Sequence, residues 1–515
     1  MGTVGTGMWD LAFPPGPPDQ IAEMFSAAVV ADAVRPYDAD LAQSVETSRN
    51  WRHDHRYSFR GMTALAVSAP LISLGIARAG LHSMRTMLRF ATGRTVTSLE
   101  AVDLEAEAAA TPLETREVAG IAAPAGRLEL PWQGKLLAED ALREQLDAWE
   151  RHGILEPGFT AAVRRVVDHP EWLRLPGFRV VLVGAGAELS PLQPLLAWGA
   201  DVLALDLPGR GRWERLCALA RAGAGAMSFP VTATGPGADI ARSFPALAHW
   251  IATHTDARPV LGLYAGSPGA TGLRIAAASD VLAESVLRRH PDAALAWLGS
   301  PTDCYAVPES VVAAAREQLA RRGIRGTAQD LLHRLAPSSL YRLNYTDPVR
   351  DAEGAQWSLF DNLPYLAGPD YALAQRLPRW RAVLARSAGH AVSYTVAPPT
   401  WTTGTDESVW RTAAYRAATR FGIEIFDPGT ARTLLAAKLV ADVMDPAPGP
   451  DRNPEALFSN GAAHGGLWRQ PFAPRSLLAP AAVSGSVQAL RDLAQESGAT
   501  AFHGTVRILS RVGRR

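Results

Sequence analysis

Short apolar runs alternate with helical patterns between residues 179 and 299, and this rhythm limits the possible folds more than any other feature. Continuous apolar runs predict strands that are buried on both faces. Strands of that kind, separated by helices, form a parallel sheet between two helical layers. We therefore predict an α/β fold with a doubly wound parallel sheet. The predicted strands cover residues 179–184, 201–206, 226–231, 259–266 and 293–299, and the predicted helices cover 190–198, 212–222, 238–254 and 270–290.

Helical patterns flank this central segment on both sides. With 515 residues the chain exceeds one ordinary hydrophobic core, so we expect several regions. The run 390–398 has the composition of one additional strand. The predicted division is a disordered lead-in rich in proline and glycine (1–20), a helical N-terminal region (21–175), the doubly wound domain (176–345) and a mainly helical C-terminal region (346–515).

The overall charge and hydropathy exclude several classes of protein. Lys and Arg number 51 and so do Asp and Glu, which leaves no basic excess for nucleic-acid phosphates. The first residues lack the basic and apolar parts of a secretory signal. The most apolar run, 61–80, contains Pro70, which argues against a membrane-spanning helix. We therefore expect a cytoplasmic protein with no nucleic-acid partner and no stable membrane insertion.

The scarcity of cysteine and lysine narrows the possible chemistry. Cys217 and Cys304 lie far apart and match no metal-binding or disulfide pattern, so we predict no metal site. Lys135 and Lys438 are the chain's two lysines. Arginine stays protonated and cannot act as a base or form a Schiff base. Any such lysine chemistry would therefore have to use one of these two residues.

The turn after the first predicted strand has the residues of a nucleotide-binding site. Gly184 and Gly186 permit a tight turn that a phosphate can approach, and Asp206 ends the second strand, where a carboxylate can accept ribose hydroxyls. Over about 30 residues the segment resembles the NAD(P)-binding Rossmann fold of dehydrogenases. This resemblance implies that Gly184, Gly186 and Asp206 hold NAD or NADP. Arg210 and Arg212 could pair with the 2′-phosphate of NADP.

The same turn departs from the dinucleotide pattern. Leu189 stands where a third glycine is usual, and Glu188 would repel a diphosphate unless it points outward. Ser190 has the properties of an N-cap, Pro191 suits the first helical position, and Gln193 completes an S-x-x-Q capping box. The predicted helix therefore starts late, further from a bound diphosphate.

Two alternatives remain open at this point. An S-adenosylmethionine-dependent methyltransferase also has a glycine-rich first turn and an acid after the second strand. Methyltransferases usually carry an acid two residues before the first glycine, where this chain has Leu182. The other alternative is a non-catalytic Rossmann-like binding protein that has kept the glycines for turn geometry alone.

Candidate catalytic residues follow the fourth and fifth predicted strands, because ligands of open α/β sheets bind beyond the strands' carboxyl ends. These polar residues are Tyr264, Ser267, Ser300, Thr302, Asp303, Cys304 and Tyr305. We predict Tyr264 or Tyr305 as the proton donor, with Asp303 as a further catalytic candidate. No tyrosine has a lysine four residues later, so the chain does not use a Tyr-x-x-x-Lys pair.

Together these features predict an NAD(P)-dependent oxidoreductase. Its reaction would be hydride transfer to or from a small organic carbonyl, alcohol or imine. The expected partner is this small-molecule substrate, and a homo-oligomer is compatible with the sequence.

Overall fold

The computed structural model describes residues 10–17, 20–92, 95–109, 112–321, 341–364, 367–402, 409–477 and 481. The predicted lead-in over residues 1–20 lies largely outside these residues. Every predicted site residue lies within them.

Helices of the described residues are labelled in chain order. They are α1 (Ile21–Val34), α2 (Ala39–Glu46), α3 (Trp51–Ser68), α4 (Pro70–Met87), α5 (Leu104–Ala109), α6 (Glu139–Arg151), α7 (Pro157–Asp168), α8 (Leu192–Trp198), α9 (Arg210–Ala222), α10 (Ile240–Thr253), α11 (Gly269–Arg289), α12 (Glu309–Ala320), α13 (Pro369–Ser387), α14 (Val409–Arg416), α15 (Pro428–Met444) and α16 (Ala456–Ser459).

The strands are labelled in the same way. They are β1 (Asp10–Ala12), β2 (Arg89–Thr92), β3 (Thr95–Ser98), β4 (Glu114–Ala119), β5 (Leu130–Trp132), β6 (Lys135–Leu137), β7 (Phe178–Val183), β8 (Asp201–Leu205), β9 (Ala226–Thr232), β10 (Gly235–Pro236), β11 (Arg258–Leu263), β12 (Ala294–Gly299), β13 (Cys304–Pro308), β14 (Pro348–Arg350), β15 (Gln356–Asp361) and β16 (Ala391–Val396).

The predicted doubly wound sheet is confirmed. Within the described residues the main sheet has the order β10-β9-β8-β7-β11-β12-β16, and β4 also pairs with β9. From β9 to β16 all neighbouring strands are parallel. The chain moves outward from β7 to β9 and then returns to β11 on the other side of β7. The switch point of this Rossmann-like sheet therefore lies between β7 and β11.

Helices cover both faces of the sheet, which explains why its strands are continuously apolar. Val181 and Leu203 pack into one hydrophobic cluster with residues of α1, α3, α4, α10, α11 and α13. Val180 and Val202 pack into the other with residues of α6, α7, α8, α9 and α15. Successive side chains of a strand point to opposite faces, so both sets must be apolar.

Parts of the flanking regions belong to the same core. Phe25 and Phe59 of the N-terminal helices share a hydrophobic cluster with Trp297 of β12. The strand predicted over 390–398 is β16, which adds to β12 in parallel. The predicted region boundaries themselves stay predictions.

The apolar run 61–80 is interrupted between α3 and α4. Pro70 occupies the first turn of α4, where its missing N–H leaves no hydrogen bond unmade. Ala66, Val67, Ile76 and Ala77 are buried in the protein core. Among the described residues, no helix is both long and apolar enough to cross a membrane.

His55 on α3 provides a test of acid sensitivity. Its Nδ1 lies 2.9 Å from the carbonyl oxygen of Arg52, while its buried Nε2 has no partner among the described residues. Burial lowers the pKa of His55 from 6.5 to about 4. Because the unfolded chain binds this proton more readily, the stability that neutral His55 contributes is present above pH 6.5 and lost as the pH falls towards 4.

We expect this loss to reach about 3 kcal/mol. The measurement is the free energy of unfolding in urea at pH 7 and pH 4, for the wild type and His55→Phe. The variant should lose less stability over this range. His249→Phe, at an exposed position of α10, is the control and should retain the wild-type dependence. Equal losses in all three proteins would contradict the assignment.

Candidate active site at the carboxyl edge of the sheet

The first turn of the sheet requires glycine at position 184 for reasons of packing. Gly184 has φ of +81°, and its N–H donates to the carbonyl oxygen of Leu205 at 2.8 Å. A Cβ atom at this position would lie 2.4 Å from the backbone nitrogen of Ala265. Only glycine therefore fits where β7 passes into its loop beside the end of β11.

The structure brings Gly186 and Asp206 into direct contact. The Gly186 N–H donates to Asp206 Oδ2 at 2.6 Å, and the Leu207 N–H donates to Asp206 Oδ1 at 2.7 Å. Arg212 Nε lies 3.3 Å from Oδ1. An ionised carboxylate has about four acceptor positions. One position therefore remains, and the Asp206 side chain is 10% exposed, so it can still accept a hydroxyl.

Arg212, rather than Arg210, lies beside this carboxylate. The Arg210 side chain is 93% exposed and pairs with Glu214, one turn along α9, at 2.8 Å. The guanidinium of Arg212 also donates to the carbonyl oxygen of Leu207 at 3.2 Å. In this arrangement Arg212 partly neutralises the charge of Asp206, and Arg210 does not reach it.

The loop after Gly186 is long, as the sequence predicted, and the helix begins later than predicted. α8 starts at Leu192, and Ser190 Oγ accepts the N–H of this residue at 3.4 Å. The carbonyl oxygen of Glu188 accepts a hydrogen bond from Arg432 of α15 at 3.2 Å. The loop is therefore held by its own neighbours, and the short helix contributes little charge to a phosphate site.

A cluster of three hydroxyl groups lies at the carboxyl end of β12. Ser300 Oγ lies 2.6 Å from Thr302 Oγ1, which lies 2.8 Å from the Tyr371 hydroxyl. Tyr371, in the first turn of α13, also donates to Ser300 Oγ at 2.9 Å. All three residues are half-buried. We call Ser300, Thr302 and Tyr371 the hydroxyl cluster.

The electrostatic surroundings keep Tyr371 protonated. Burial raises the pKa of Tyr371, and its hydrogen bonds with Ser300 and Thr302 oppose this only in part. The charge of Asp303 raises the Tyr371 pKa further. The position four residues after Tyr371 is Gln375, so no lysine there counteracts these effects. At neutral pH the phenol is therefore a proton donor.

The predicted catalytic residues Tyr305 and Asp303 lie below this cluster, in the core. Tyr305 is fully buried, and its hydroxyl donates to the carbonyl oxygen of Ser300 at 2.8 Å. Asp303 is also fully buried and accepts hydrogen bonds from Arg379 at 3.0 Å and from the Cys304 N–H at 2.7 Å. Burial raises the pKa of Tyr305 well above its ordinary range. Both side chains thus already have partners within the protein.

Tyr264 is held at the end of β11. Its N–H donates to the carbonyl oxygen of Val183 at 2.8 Å, and its ring lies against Gly262, where a Cβ atom would approach to 2.6 Å. Burial raises the pKa of Tyr264. The catalytic roles of Tyr264, Tyr305 and Asp303 stay predictions.

Sequence reasoning missed Tyr371, which lies beyond the predicted end of the central domain. The available signal was the sequence GPDYAL at residues 368–373. Pro369 suits a helix start, which places Tyr371 in the first turn. A half-buried tyrosine at such a position can face the sheet edge. That it meets Ser300 follows only from the packing of α13 on the sheet.

Comparison with known proteins finds matches among solved structures alone. No family model and no curated protein matches the chain. A short-chain dehydrogenase/reductase from Serratia marcescens BCRC 10948 is 15% identical, with a TM-score of 0.31, over 56% of this chain and 94% of that chain. A double mutant of a Serratia marcescens short-chain dehydrogenase/reductase is 12% identical, with a TM-score of 0.31, over 57% of this chain and 98% of that chain. These are distant neighbours in fold alone.

Proposed function

We propose that the protein is an NAD(P)-dependent oxidoreductase acting on a small organic carbonyl, alcohol or imine. The observation that carries this proposal is the hydroxyl cluster at the carboxyl end of β12. Gly186 and Asp206 lie at the same edge of the sheet, after β7 and β8. The switch point between β7 and β11 separates the two groups, and open α/β sheets bind ligands at such points.

The residues of this edge have complementary roles in the proposed reaction. Asp206 would accept a hydrogen bond from a ribose hydroxyl at its remaining acceptor position. The bound nicotinamide would supply or accept the hydride. Tyr371 would donate its proton to the substrate oxygen or nitrogen, while Ser300 and Thr302 orient the phenol. Because the Tyr371 pKa is raised, the phenol carries its proton at neutral pH, which is the form that a carbonyl reduction needs.

Binding measurements on Asp206→Ala test the cofactor assignment. The ligands are NAD, NADP, S-adenosylmethionine and S-adenosylhomocysteine, measured by thermal shift and by calorimetry. We expect one nicotinamide dinucleotide to bind. Its affinity should fall at least ~10-fold in the variant, because a hydrogen bond to a charged acceptor contributes about 1.5–3 kcal/mol. Glu144→Ala, an exposed acid on α6, is the control and should bind like the wild type.

A response confined to the two S-adenosyl compounds would overturn the proposal in favour of a methyltransferase. The comparison of NAD with NADP also reports on Arg212, which lies beside Asp206 and could pair with a 2′-phosphate.

A non-catalytic Rossmann-like binding protein is the second candidate, and one contact favours it. The Gly186 N–H, which would face a diphosphate, already donates to Asp206. The carboxylate thus places a negative charge beside the loop and would repel a phosphate. Under this alternative none of the four ligands binds, and the hydroxyl cluster serves only to join α13 to β12.

A further inference from the structure

A second groove lies away from the hydroxyl cluster, between α9 and the outer edge of the sheet. Its volume is about 720 Å³, which is within the range of small-molecule sites. One wall is a stripe of α9 that includes Cys217 and Arg221, and the opposite wall includes Arg116 of β4. We call this the α9 groove.

The base of the α9 groove is aromatic. The rings of Trp213 and Phe229 are stacked, with centroids 4.6 Å apart and planes inclined by 26°. Phe229 of β9 is directly opposite Arg116 of β4 in the antiparallel pairing, which places that arginine over the aromatic base. The groove thus combines an apolar base with cationic side chains on its rim.

Two of these cations have no counter-ion in the part of the chain that the structure describes. Within the described residues Arg116 and Arg221 make no ion pair or side-chain hydrogen bond. The third arginine of the groove, Arg210, pairs with Glu214 at 2.8 Å, which is the one acidic residue among those that line it. The α9 groove therefore carries an unbalanced positive charge, although the whole chain has a net charge of zero.

Arg116 and Arg221 line the α9 groove together with Cys217, and they come from different elements. Burial raises the pKa of the Cys217 thiol, and the charges of Arg221 and Arg116 both lower it. Arg221 follows Cys217 by one turn of α9, and Arg116 lines the same groove from β4. Cys217 is half-buried, so it reports on what enters the groove.

We propose that the α9 groove is a binding site for a small organic anion, with a phosphate or carboxylate group on an apolar body. Guanidinium groups bind both of these anions through paired hydrogen bonds. Arg116 and Arg221 would hold the charged group, and the apolar body would lie over Trp213 and Phe229. Arg116 and Arg221 belong neither to the hydroxyl cluster nor to the residues around Asp206, so this proposal is tested apart from the oxidoreductase activity, although Arg210 of the predicted cofactor site also lines the groove.

Alkylation of Cys217 measures the charge selectivity of the groove directly. Iodoacetate and iodoacetamide alkylate a thiolate by the same substitution, in which the sulfur bonds to the CH₂ carbon and iodide leaves. Of the two reagents, only iodoacetate is an anion. The other cysteine, Cys304, is fully buried with its pKa raised by burial to about 12, so the folded chain should react at Cys217. Peptide mass analysis identifies the modified residue.

We expect the rate ratio of iodoacetate to iodoacetamide to be ~10-fold higher in the folded protein than in urea-unfolded protein, since charged clefts concentrate ions to this degree. Combined replacement Arg116→Ala and Arg221→Ala should abolish this preference. Arg215→Ala is the matched control, because Arg215 is exposed on the same helix but does not line the groove. Equal ratios in folded and unfolded protein would overturn the proposal.

Protection of Cys217 tests for binding of an organic anion. Phenyl phosphate should slow alkylation by iodoacetamide more than inorganic phosphate does at the same ionic strength, and the double variant should lose this protection. Equal slowing by phenyl phosphate and by sodium chloride would overturn the proposal, because that result is simple screening. Protection by poly-glutamate without protection by phenyl phosphate would also overturn it in favour of an acidic protein segment.

Turnover and nicotinamide binding are measured separately, so a negative result for the α9 groove leaves the oxidoreductase proposal unchanged.

Discussion

Replacing Tyr371 with phenylalanine should lower turnover by about 100- to 10,000-fold, the usual contribution of a positioned proton donor. The affinity for the nicotinamide dinucleotide should be unchanged, because Asp206 lies at a different strand end. Phenylalanine keeps the ring of Tyr371 and removes only the hydroxyl that bonds to Ser300. The measurement is kcat and KM in the direction of carbonyl reduction, with Kd for the dinucleotide measured separately.

Matched variants distinguish the three candidate tyrosines. Tyr264→Phe and Tyr305→Phe also remove one hydroxyl each, and both should retain most of the turnover. Ser300→Ala should give an intermediate loss, because Thr302 still contacts the phenol. If Tyr371→Phe retained turnover and Tyr264→Phe lost it, the proton donor would be the one that the sequence predicted. The pH dependence of the rate gives a readout that a purely structural role would not change. The wild type should lose rate at high pH as the Tyr371 phenol loses its proton, and this loss should disappear in Tyr371→Phe.

Replacing Asp303 with alanine should destabilise the protein by about 3–5 kcal/mol, the effect of removing one partner from a buried ion pair. Asp303 contacts Arg379 at 3.0 Å and Arg376 at 3.5 Å, and all three side chains are almost fully buried. Arg379 also pairs with Glu455 at 3.1 Å, so the four residues form a balanced network. Without Asp303 one guanidinium charge in the core lacks a counter-ion.

The measurement is the free energy of unfolding in urea, monitored by fluorescence and circular dichroism. Arg35→Ala is the control, because it breaks an exposed pair with Glu46 at 2.7 Å and should leave the urea midpoint nearly unchanged. Asp303→Asn separates stability from catalysis. A variant with the wild-type midpoint and no turnover would support the catalytic role that the sequence suggested for Asp303. A shifted midpoint with turnover retained per folded molecule would show that Asp303 stabilises the core and does not take part in catalysis.

The central sheet could be predicted from the sequence because its strands are buried on both faces. The run from Val180 to Val183 indicates a strand without knowledge of its neighbours, since a sheet covered on both faces requires consecutive apolar residues. β4 lacks this signal. Its sequence, ETREVA, is mostly charged and exposed because it forms the outer edge beside β9, and edge strands commonly carry charges.

The candidate site could be predicted only where its residues are close in sequence. The contact between Gly186 and Asp206 joins two adjacent strands, so the local pattern reveals it. Cys304–Pro308 were expected to be a loop, but they form β13, which pairs with β15 and buries Tyr305. Tyr371 reaches Ser300 only through the packing of α13 on the sheet, which no local pattern records.

The strand order also has a consequence for synthesis on the ribosome. β12 lies between β11 and β16, but β16 is made only after β13, β15 and α13 have been translated. At 5–20 residues per second, the nascent chain therefore leaves one edge of β12 open for roughly 5–20 seconds. Such an edge can pair with strands of other chains. A slow translation step between Gly299 and Ala391 should thus increase aggregation of newly made protein, whereas a slow step after Met444, once β16 has left the ribosome, should not.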